Sequence, residues 1–202
     1  MSQRIPAHEL LRDEIKRCRH CETELPLGAN PVVQFHPAAK ILIIGQAPGT
    51  RVHASGIPWD DPSGDRLRTW LDVDKSSFYN PEHFAIMPMG FCYPGKGKSG
   101  DLPPRKECAP LWHSRILQQL PDIELVLLIG QYSQKHYLDE AVQRRYKNLT
   151  ERVTDWQSFT SLTPVQLPLP HPSPRNRRWF AQHSWFDDEV VPWLQQRVKQ
   201  LL

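Results

Sequence analysis

Two runs of continuous apolar residues, each followed by a glycine turn, constrain the fold most. The first covers residues 41–44 and leads into Gly45, and the second covers 125–129, within the segment 123–138, and leads into Gly130-Gln131. A strand that is apolar at every position is buried on both faces, which is typical of a parallel sheet. These runs therefore predict strands of an α/β fold, each with a turn at its carboxyl end.

The rest of the chain alternates between strand-like and helical patterns. Further strand-like runs cover 83–91 and 163–170, and helices are predicted at 7–17, 64–73, 107–120 and 183–202. The predicted apolar helix faces include Leu10, Leu11 and Ile15 in the first helix, and Leu67, Trp70 and Leu71 in the second. This alternation predicts a three-layer αβα domain around a mostly parallel sheet. Without a repeat or a boundary in the sequence, residues 1–202 are expected to form one domain.

Composition narrows the classes of protein to consider. With 202 residues, of which 39% are hydrophobic, the chain can bury a sizeable core. The net charge is only +3, so nucleic-acid binding has to come from a local basic patch. No apolar run approaches the roughly 20 residues of a membrane span, and the first 18 residues lack a secretory apolar segment. We expect a cytoplasmic protein without membrane contact, monomeric by default.

Three predicted strands end in unusual loops, which are Gly45–Gly49, the segment from Met87, and His171–Asn176. Sites of α/β sheets lie beyond the carboxyl ends of the strands, so these loops are expected to converge. Prolines on both sides hold His171 on a stiff backbone, which suits a preorganised hydrogen-bond donor. A structural histidine in a proline-rich turn is the alternative.

Two segments carry local positive charge. The run Arg175, Asn176, Arg177, Arg178 and Trp179 is typical of a phosphate-contacting rim with a stacking aromatic residue, and a solvated charged loop is the alternative. The sequence GKGKS at 95–99 lacks the earlier glycine of a nucleotide phosphate loop, because position 92 is cysteine. This segment predicts an exposed basic loop that could touch a phosphate backbone.

The four cysteines are Cys18, Cys21, Cys92 and Cys108. In the cytoplasm we expect thiols or metal ligands rather than disulfides. The C-x-x-C pair follows a predicted helix with no strand before it, unlike a thioredoxin-like redox motif. The set fits a four-cysteine site for zinc or an iron–sulfur cluster, and unrelated buried thiols are the alternative.

Taken together, these motifs resemble the uracil-DNA glycosylase superfamily, specifically its iron–sulfur branch (families 4 and 5). The stretch IIGQAPG is similar to the first motif of family 4, which is Gly-Glu-Ala-Pro-Gly, and GIPWDDPSGDRL at 56–67 resembles the next. HPSPRN at 171–176 looks like the second motif, in the version of the single-strand-selective uracil glycosylases. The cysteines fall in the order and near the intervals of the family's [4Fe–4S] ligands.

The resemblance implies a monofunctional DNA glycosylase that excises uracil or another deaminated base from DNA. Backbone N–H groups of Gln46 and Ala47 would hold the base O2 and Trp59 would stack on the base. His171 would stabilise the anion that develops on O2. The implied DNA-binding residues are Ser173, Arg175 at the wedge position, Asn176 and Arg177. The implied cofactor is a [4Fe–4S] cluster on Cys18, Cys21, Cys92 and Cys108, with zinc as the alternative.

Several positions depart from the family pattern. Gln46 replaces the family 4 glutamate, and Ala47 stands where the main uracil glycosylases carry a water-activating aspartate. Asp60 or Asp61 could position the water instead, although a solvated acidic turn explains them equally well. Pro88 stands where the family reads uracil with an asparagine, which predicts a different damaged base or a weak activity.

Two other functions fit the same residues. The first is a catalytically inactive relative that binds DNA or senses damage and keeps the fold and the metal site. The second is a zinc-stabilised α/β enzyme acting on free nucleosides, which would not need the charged segment 175–179.

Overall fold

A computed structural model describes residues 5–98 and 100–202. The strands are β1 (Ile41–Ile44), β2 (Phe84–Ile86), β3 (Lys96–Gly97), β4 (Gly100–Asp101), β5 (Leu125–Ile129) and β6 (Val165–Leu169). Four of them form the main sheet in the order β2-β1-β5-β6, and every neighbouring pair is parallel. Strands β3 and β4 form a separate antiparallel hairpin.

The α-helices are α1 (Ala7–Lys16), α2 (Thr50–Ser55), α3 (Pro62–Leu71), α4 (Lys75–Phe78), α5 (Ser114–Leu117), α6 (Gln131–Tyr137), α7 (Glu140–Arg145), α8 (Leu149–Thr154), α9 (Arg177–Gln182) and α10 (Val191–Leu201). Two π-helical turns, Ala109–His113 and Phe186–Val190, lead directly into α5 and α10. Within the described residues, no helix is long and apolar enough to cross a membrane.

Side chains that alternate along the strands divide the core into two halves. Ile41 and Ile43 pack with residues of α3, α4, α8 and α10, whereas Leu42 and Ile44 pack with residues of α1, α5, α6 and α7. All four are at most 1% exposed, and each buried side chain of this size contributes roughly 1.5–3 kcal/mol. Helices therefore cover both faces of the sheet, and the predicted three-layer α/β architecture is confirmed.

Two details differ from the sequence prediction. Leu10 is 53% exposed, and α1 buries His8, Leu11 and Ile15 instead. The strand predicted at 83–91 has only three residues, because the chain leaves the regular ladder at Pro88, which has no N–H to donate. The single domain over 1–202 remains a prediction.

Candidate active site

A cavity of about 510 Å³ lies beyond the carboxyl ends of the main sheet. Its walls come from residues after each strand, namely Gly45–Gly49 after β1, Pro88 after β2, Gln131 and Tyr132 after β5, and His171–Asn176 after β6. The three loops predicted to converge therefore line one cavity. The volume is typical of a small-molecule site and accommodates a nucleobase.

The ring of His171 is held in one tautomer. The backbone N–H of Ser173 donates to its Nδ1 at 3.2 Å, and the Asn176 side-chain amide donates to its carbonyl at 2.7 Å. An N–H can only donate, so Nδ1 is an acceptor and the proton of the neutral ring is on Nε2. Burial lowers the pKa of His171, and the nearby Asp61 carboxylate partly opposes that shift. His171 is therefore a neutral donor at the cavity wall.

Trp59 lies between the loop after β1 and His171. Its ring centroid is 5.5 Å from that of His171, and a Cβ at Gly45 would lie 2.8 Å from its Cζ2. The backbone of Trp59 is left-handed, with φ of 57°, which is unusual for a residue with a large side chain. Gly64 leaves room for the Trp59 carbonyl, which also accepts a hydrogen bond from Arg68 at 3.3 Å. The strained backbone thus presents the indole to the cavity.

The two adjacent aspartates have different surroundings. Asp61 lines the cavity and is the N-cap of α3, where its Oδ1 accepts from the Gly64 N–H at 2.8 Å. Pro62, at the first position of α3, suits a helix start. Asp60 is not among the cavity-lining residues that the structure describes; burial, with a smaller contribution from the Asp60 charge, raises the pKa of Tyr79. Of the two, Asp61 is the one that lies at the cavity wall among the described residues.

Pro88 forms part of the cavity wall. The flanking residues Met87 and Met89 donate backbone hydrogen bonds to the carbonyls of Ile43 and Gly45 at 3.0 and 2.9 Å. Pro88 itself has only its carbonyl and a pyrrolidine ring, so it offers a bound base no hydrogen-bond donor.

A buried histidine behind this wall supports Pro88. His113 Nε2 donates to the Pro88 carbonyl at 3.2 Å, and its Nδ1 accepts from the Tyr137 hydroxyl at 2.6 Å. Burial lowers the pKa of His113 to about 4 and, through loss of solvent, raises that of Tyr137. Both groups are therefore neutral, as this pair of hydrogen bonds requires.

The charged segment after His171 divides into two parts. Arg175 is exposed and lines the cavity, and Ser173 caps the 3₁₀ turn Pro174–Asn176 by accepting from the Arg175 N–H at 3.3 Å. Arg177 is exposed at the start of α9. Trp179, by contrast, packs against the core, and its Nε1 donates to Thr150 Oγ1 at 2.8 Å. The prediction that Trp179 is a stacking residue of the charged rim stays a prediction, and the structure places its half-buried ring against the core.

The family model described as the Uracil DNA glycosylase superfamily matches residues 32–195. The chain belongs to this superfamily. The match includes every cavity loop named above and begins after the first two cysteines.

In this superfamily member the four cysteines line one small cavity. They are free thiols, and Cys21, Cys92 and Cys108 are buried. The Phe91 N–H donates to Cys108 Sγ at 3.4 Å. Burial raises the pKa of Cys92 to about 11 and that of Cys108 to about 12. Across 5–98 and 100–202, no three His, Cys, Asp or Glu side chains are placed so that they could hold one metal ion.

Sequence reasoning missed several cavity residues of this superfamily fold, which are Ser63, Gly100, Asp101, Gln131 and Tyr132. The repeated Gly-Gln after two apolar strands was a usable signal for Gln131, since Gln46 follows Gly45 in the same way. Gly130 has φ of 81°. A Cβ added to Gly130 would lie 3.8 Å from Cδ2 of the His171 ring. No comparable signal marks Gly100 and Asp101, because the hairpin is too short for a periodic pattern.

Proposed function

We propose that the protein is a monofunctional DNA glycosylase that extrudes a damaged base and hydrolyses its N-glycosidic bond. The observation that carries this proposal is His171, a half-buried neutral imidazole with its proton on Nε2 at the wall of a base-sized cavity. A preorganised donor of this kind stabilises the negative charge that develops on a departing base. Membership of the superfamily supports this reaction class.

Binding begins with extrusion of the nucleotide, which costs a few kcal/mol of stacking and pairing. The base would stack on Trp59, whose ring already lies against Gly45 and near His171. The backbone N–H groups of Gln46 and Ala47 would hold the base O2, the arrangement that the family resemblance implies.

Cleavage then separates charge. The bond between C1′ and the base nitrogen breaks with its electron pair on the base, and an oxocarbenium-like sugar remains. His171 Nε2–H donates to the base oxygen as the negative charge grows. A water oxygen bonds to C1′ from the other side, and Asp61 positions this water and receives its proton. The products are an abasic site and the free base, which takes a proton from solvent.

The target base is limited by the wall at Pro88. Apolar side chains of Val52 and Ile86 line the same cavity. Uracil would find no side-chain amide at Pro88 to pair with its N3–O4 edge. We infer that the base is selected mainly by shape and by contacts on O2, so uracil and other deaminated bases have to be compared directly.

DNA binding is assigned to the basic loop. We place Arg175 in the gap left by the extruded base, and Ser173 and Arg177 near phosphates, since all three lie in or beside the cavity loop. Asn176 is proposed to act through His171, whose carbonyl it holds at 2.7 Å.

We also propose that Cys18, Cys21, Cys92 and Cys108 hold a [4Fe–4S] cluster. All four line one cavity, and three of them are buried. Four cysteine thiolates are the usual ligand set of a [4Fe–4S] cluster and also suit zinc, so metal analysis has to distinguish the two. When bound, the cluster would supply four iron–thiolate bonds that tie the segment 87–92 to the N-terminal region.

Metal analysis of the purified protein tests the cluster. We expect about four irons and four sulfides per chain, with absorbance near 400 nm, and loss of both in Cys92→Ser. One zinc per chain without iron would overturn the cluster and favour the zinc site. Circular dichroism of Cys92→Ser shows whether the fold survives without the cofactor.

An inactive DNA-binding relative is the second candidate, favoured by Ala47 and Pro88. Base release from single- and double-stranded oligonucleotides containing uracil, hypoxanthine or xanthine, or from an undamaged control, separates the two functions. Alkaline cleavage would reveal the abasic product. Release of one of the damaged bases supports the glycosylase, while binding without any release supports the inactive relative.

A further inference from the structure

The β3–β4 hairpin stands at the mouth of the cavity. Gly100 and Asp101 are among the residues that line it, together with Arg175 from the loop after β6. A Cβ placed on Gly100 would lie 2.3 Å from Arg175 Nη1, so the guanidinium lies directly on the hairpin backbone. The hairpin and the loop that carries His171 therefore meet across the opening.

The base of the hairpin is fixed to the loop after β1. Gln46 Nε2 donates to the Leu102 carbonyl at 3.4 Å, and the Leu102 N–H donates to the Gly95 carbonyl at 2.8 Å. The Leu102 side chain lies against Gly95 and Gly97, where an added Cβ would be 3.4 and 3.2 Å from its methyl carbons. These contacts make the position of the hairpin depend on the loop after β1, which lines the cavity.

The hairpin presents positive charge beside the opening. Lys96 and Lys98 are exposed, and Lys96 is paired in register with Asp101. Side chains of directly paired residues lie on the same face of an antiparallel ladder, so Lys96 is on the face that borders the cavity. With two lysines and one aspartate, the hairpin adds a net positive charge to that of Arg175.

We propose that the β3–β4 hairpin, through Lys96 and Lys98, is a second grip on the DNA backbone. Lys96 and Lys98 contact phosphates on one side of the extruded nucleotide, and the loop 171–177 contacts those on the other side. An extruded nucleotide exposes its flanking phosphates at the cavity mouth, and contacts to phosphate position the strand without reading its sequence. This inference rests on the proposed glycosylase function.

The salt dependence of DNA binding tests the proposed phosphate contacts of Lys96 and Lys98 without requiring catalysis. Anisotropy of a fluorescent duplex with a tetrahydrofuran abasic analogue would be measured from 50 to 300 mM NaCl. Each phosphate contact adds about 0.9 to the slope of log K against log salt. In the K96Q/K98Q protein we expect the magnitude of this slope to be smaller by between one and two. The control K199Q, which changes an exposed lysine on α10, should keep the wild-type slope.

The outcomes separate the two proposals. An unchanged slope in K96Q/K98Q, with wild type binding normally, overturns the grip and leaves the glycosylase proposal standing. Absence of salt-dependent binding in wild type also overturns the grip, while base release from single- and double-stranded oligonucleotides decides the glycosylase proposal separately. Thermal unfolding of each variant shows whether the fold is kept.

A glycine substitution tests the contact with Arg175. In Gly100→Ala the new methyl group would displace the guanidinium, and φ of 149° disfavours alanine. We expect weaker binding to the same duplex, of at least threefold. Gly28→Ala is the matched control, because Gly28 also has a positive φ, of 76°, but no atom within 4 Å of its added Cβ. Equal affinities of Gly100→Ala and wild type would contradict the predicted contact.

Discussion

The backbone N–H of Ser173 donates a hydrogen bond to Nδ1 of His171 at 3.2 Å. Pro172 between them has no N–H, so the first amide able to reach the ring after His171 is that of Ser173. The loss of solvent around the half-buried ring lowers its pKa and keeps it neutral, and the bond from Ser173 leaves the proton on Nε2. The hydrogen bond from Ser173 therefore determines that His171 presents an Nε2–H donor to a bound base.

The pH dependence of base release follows from this tautomer. Because burial lowers the pKa of His171 below its usual 6.5, the ring stays neutral as pH rises from 6.5 to 8.5. We expect kcat/KM to be flat over that range and to fall only on the acid side, where protonation of Nδ1 would oppose the Ser173 N–H. A tenfold decline per pH unit above pH 6.5 would indicate an imidazolium catalyst and contradict the account.

The position of the indole depends on Gly45. In Gly45→Ala the new methyl group would lie 2.8 Å from Trp59 Cζ2, so the ring would have to move. We expect overpacking to cost about 1–3 kcal/mol of unfolding free energy and base release to slow by at least tenfold. Gly49→Ala in the same loop is the control, since its added Cβ would be 3.7 Å from the nearest side-chain atom, an ordinary contact. Urea unfolding and single-turnover rates compare the two.

The two aspartates should differ in effect. Asp61 lines the cavity, whereas Asp60 is not among the lining residues of the described chain. Asn replaces Asp well as a helix N-cap, so Asp61→Asn should keep α3 while it removes the carboxylate. We expect Asp61→Asn to slow base release about 100-fold or more, and Asp60→Asn to stay within twofold. The reverse order in single-turnover assays would assign the water to Asp60.

Folding stability should decrease in acid through His113. Its pKa is about 4 in the folded protein and about 6.5 when unfolded, so the unfolded chain binds the proton first as pH falls. The contribution of His113 to the free energy of unfolding is fully present above pH 6.5. About 3 kcal/mol of this free energy is lost by pH 4. The groups that face the ring are the Pro88 carbonyl, Tyr137 and His136.

Urea denaturation between pH 4 and 7 measures this dependence. His113→Gln keeps a donor and an acceptor but does not titrate, so its stability should change less over this range. His136→Gln removes only the smallest of the contributions to the His113 pKa, from an exposed neighbour, and should retain most of the wild-type slope. Equal slopes in wild type and His113→Gln would contradict the assignment.

Much of the fold could be predicted because the strands β1 and β5 are apolar at every position. The convergence of Gly45, Pro88 and His171 followed from parallel strands, whose carboxyl ends share one edge of the sheet. Sequence patterns carry less information about which of two neighbouring side chains enters a cavity. Asp60 and Asp61 are chemically identical, and only the N-cap of α3 distinguishes them.

Other features depend on tertiary contacts that no local pattern encodes. Trp179 adjoins arginines in sequence, yet it is held by Thr150, a residue on α8. Leu10 matches the helical period of α1, but it lies outside the stripe that faces the sheet. The pairing of Gly100 with Arg175 joins segments 75 residues apart, and neither segment shows it alone.

The most direct test of the account is the single-turnover rate of base release by His171→Ala, on the best substrate found for wild type. We expect this rate to fall about 100- to 1000-fold, the typical effect of removing one preorganised donor. Affinity for the abasic duplex should stay within threefold of wild type, showing that the variant is folded and binds DNA. A His171→Ala protein that releases base at the wild-type rate would contradict the central role of this histidine.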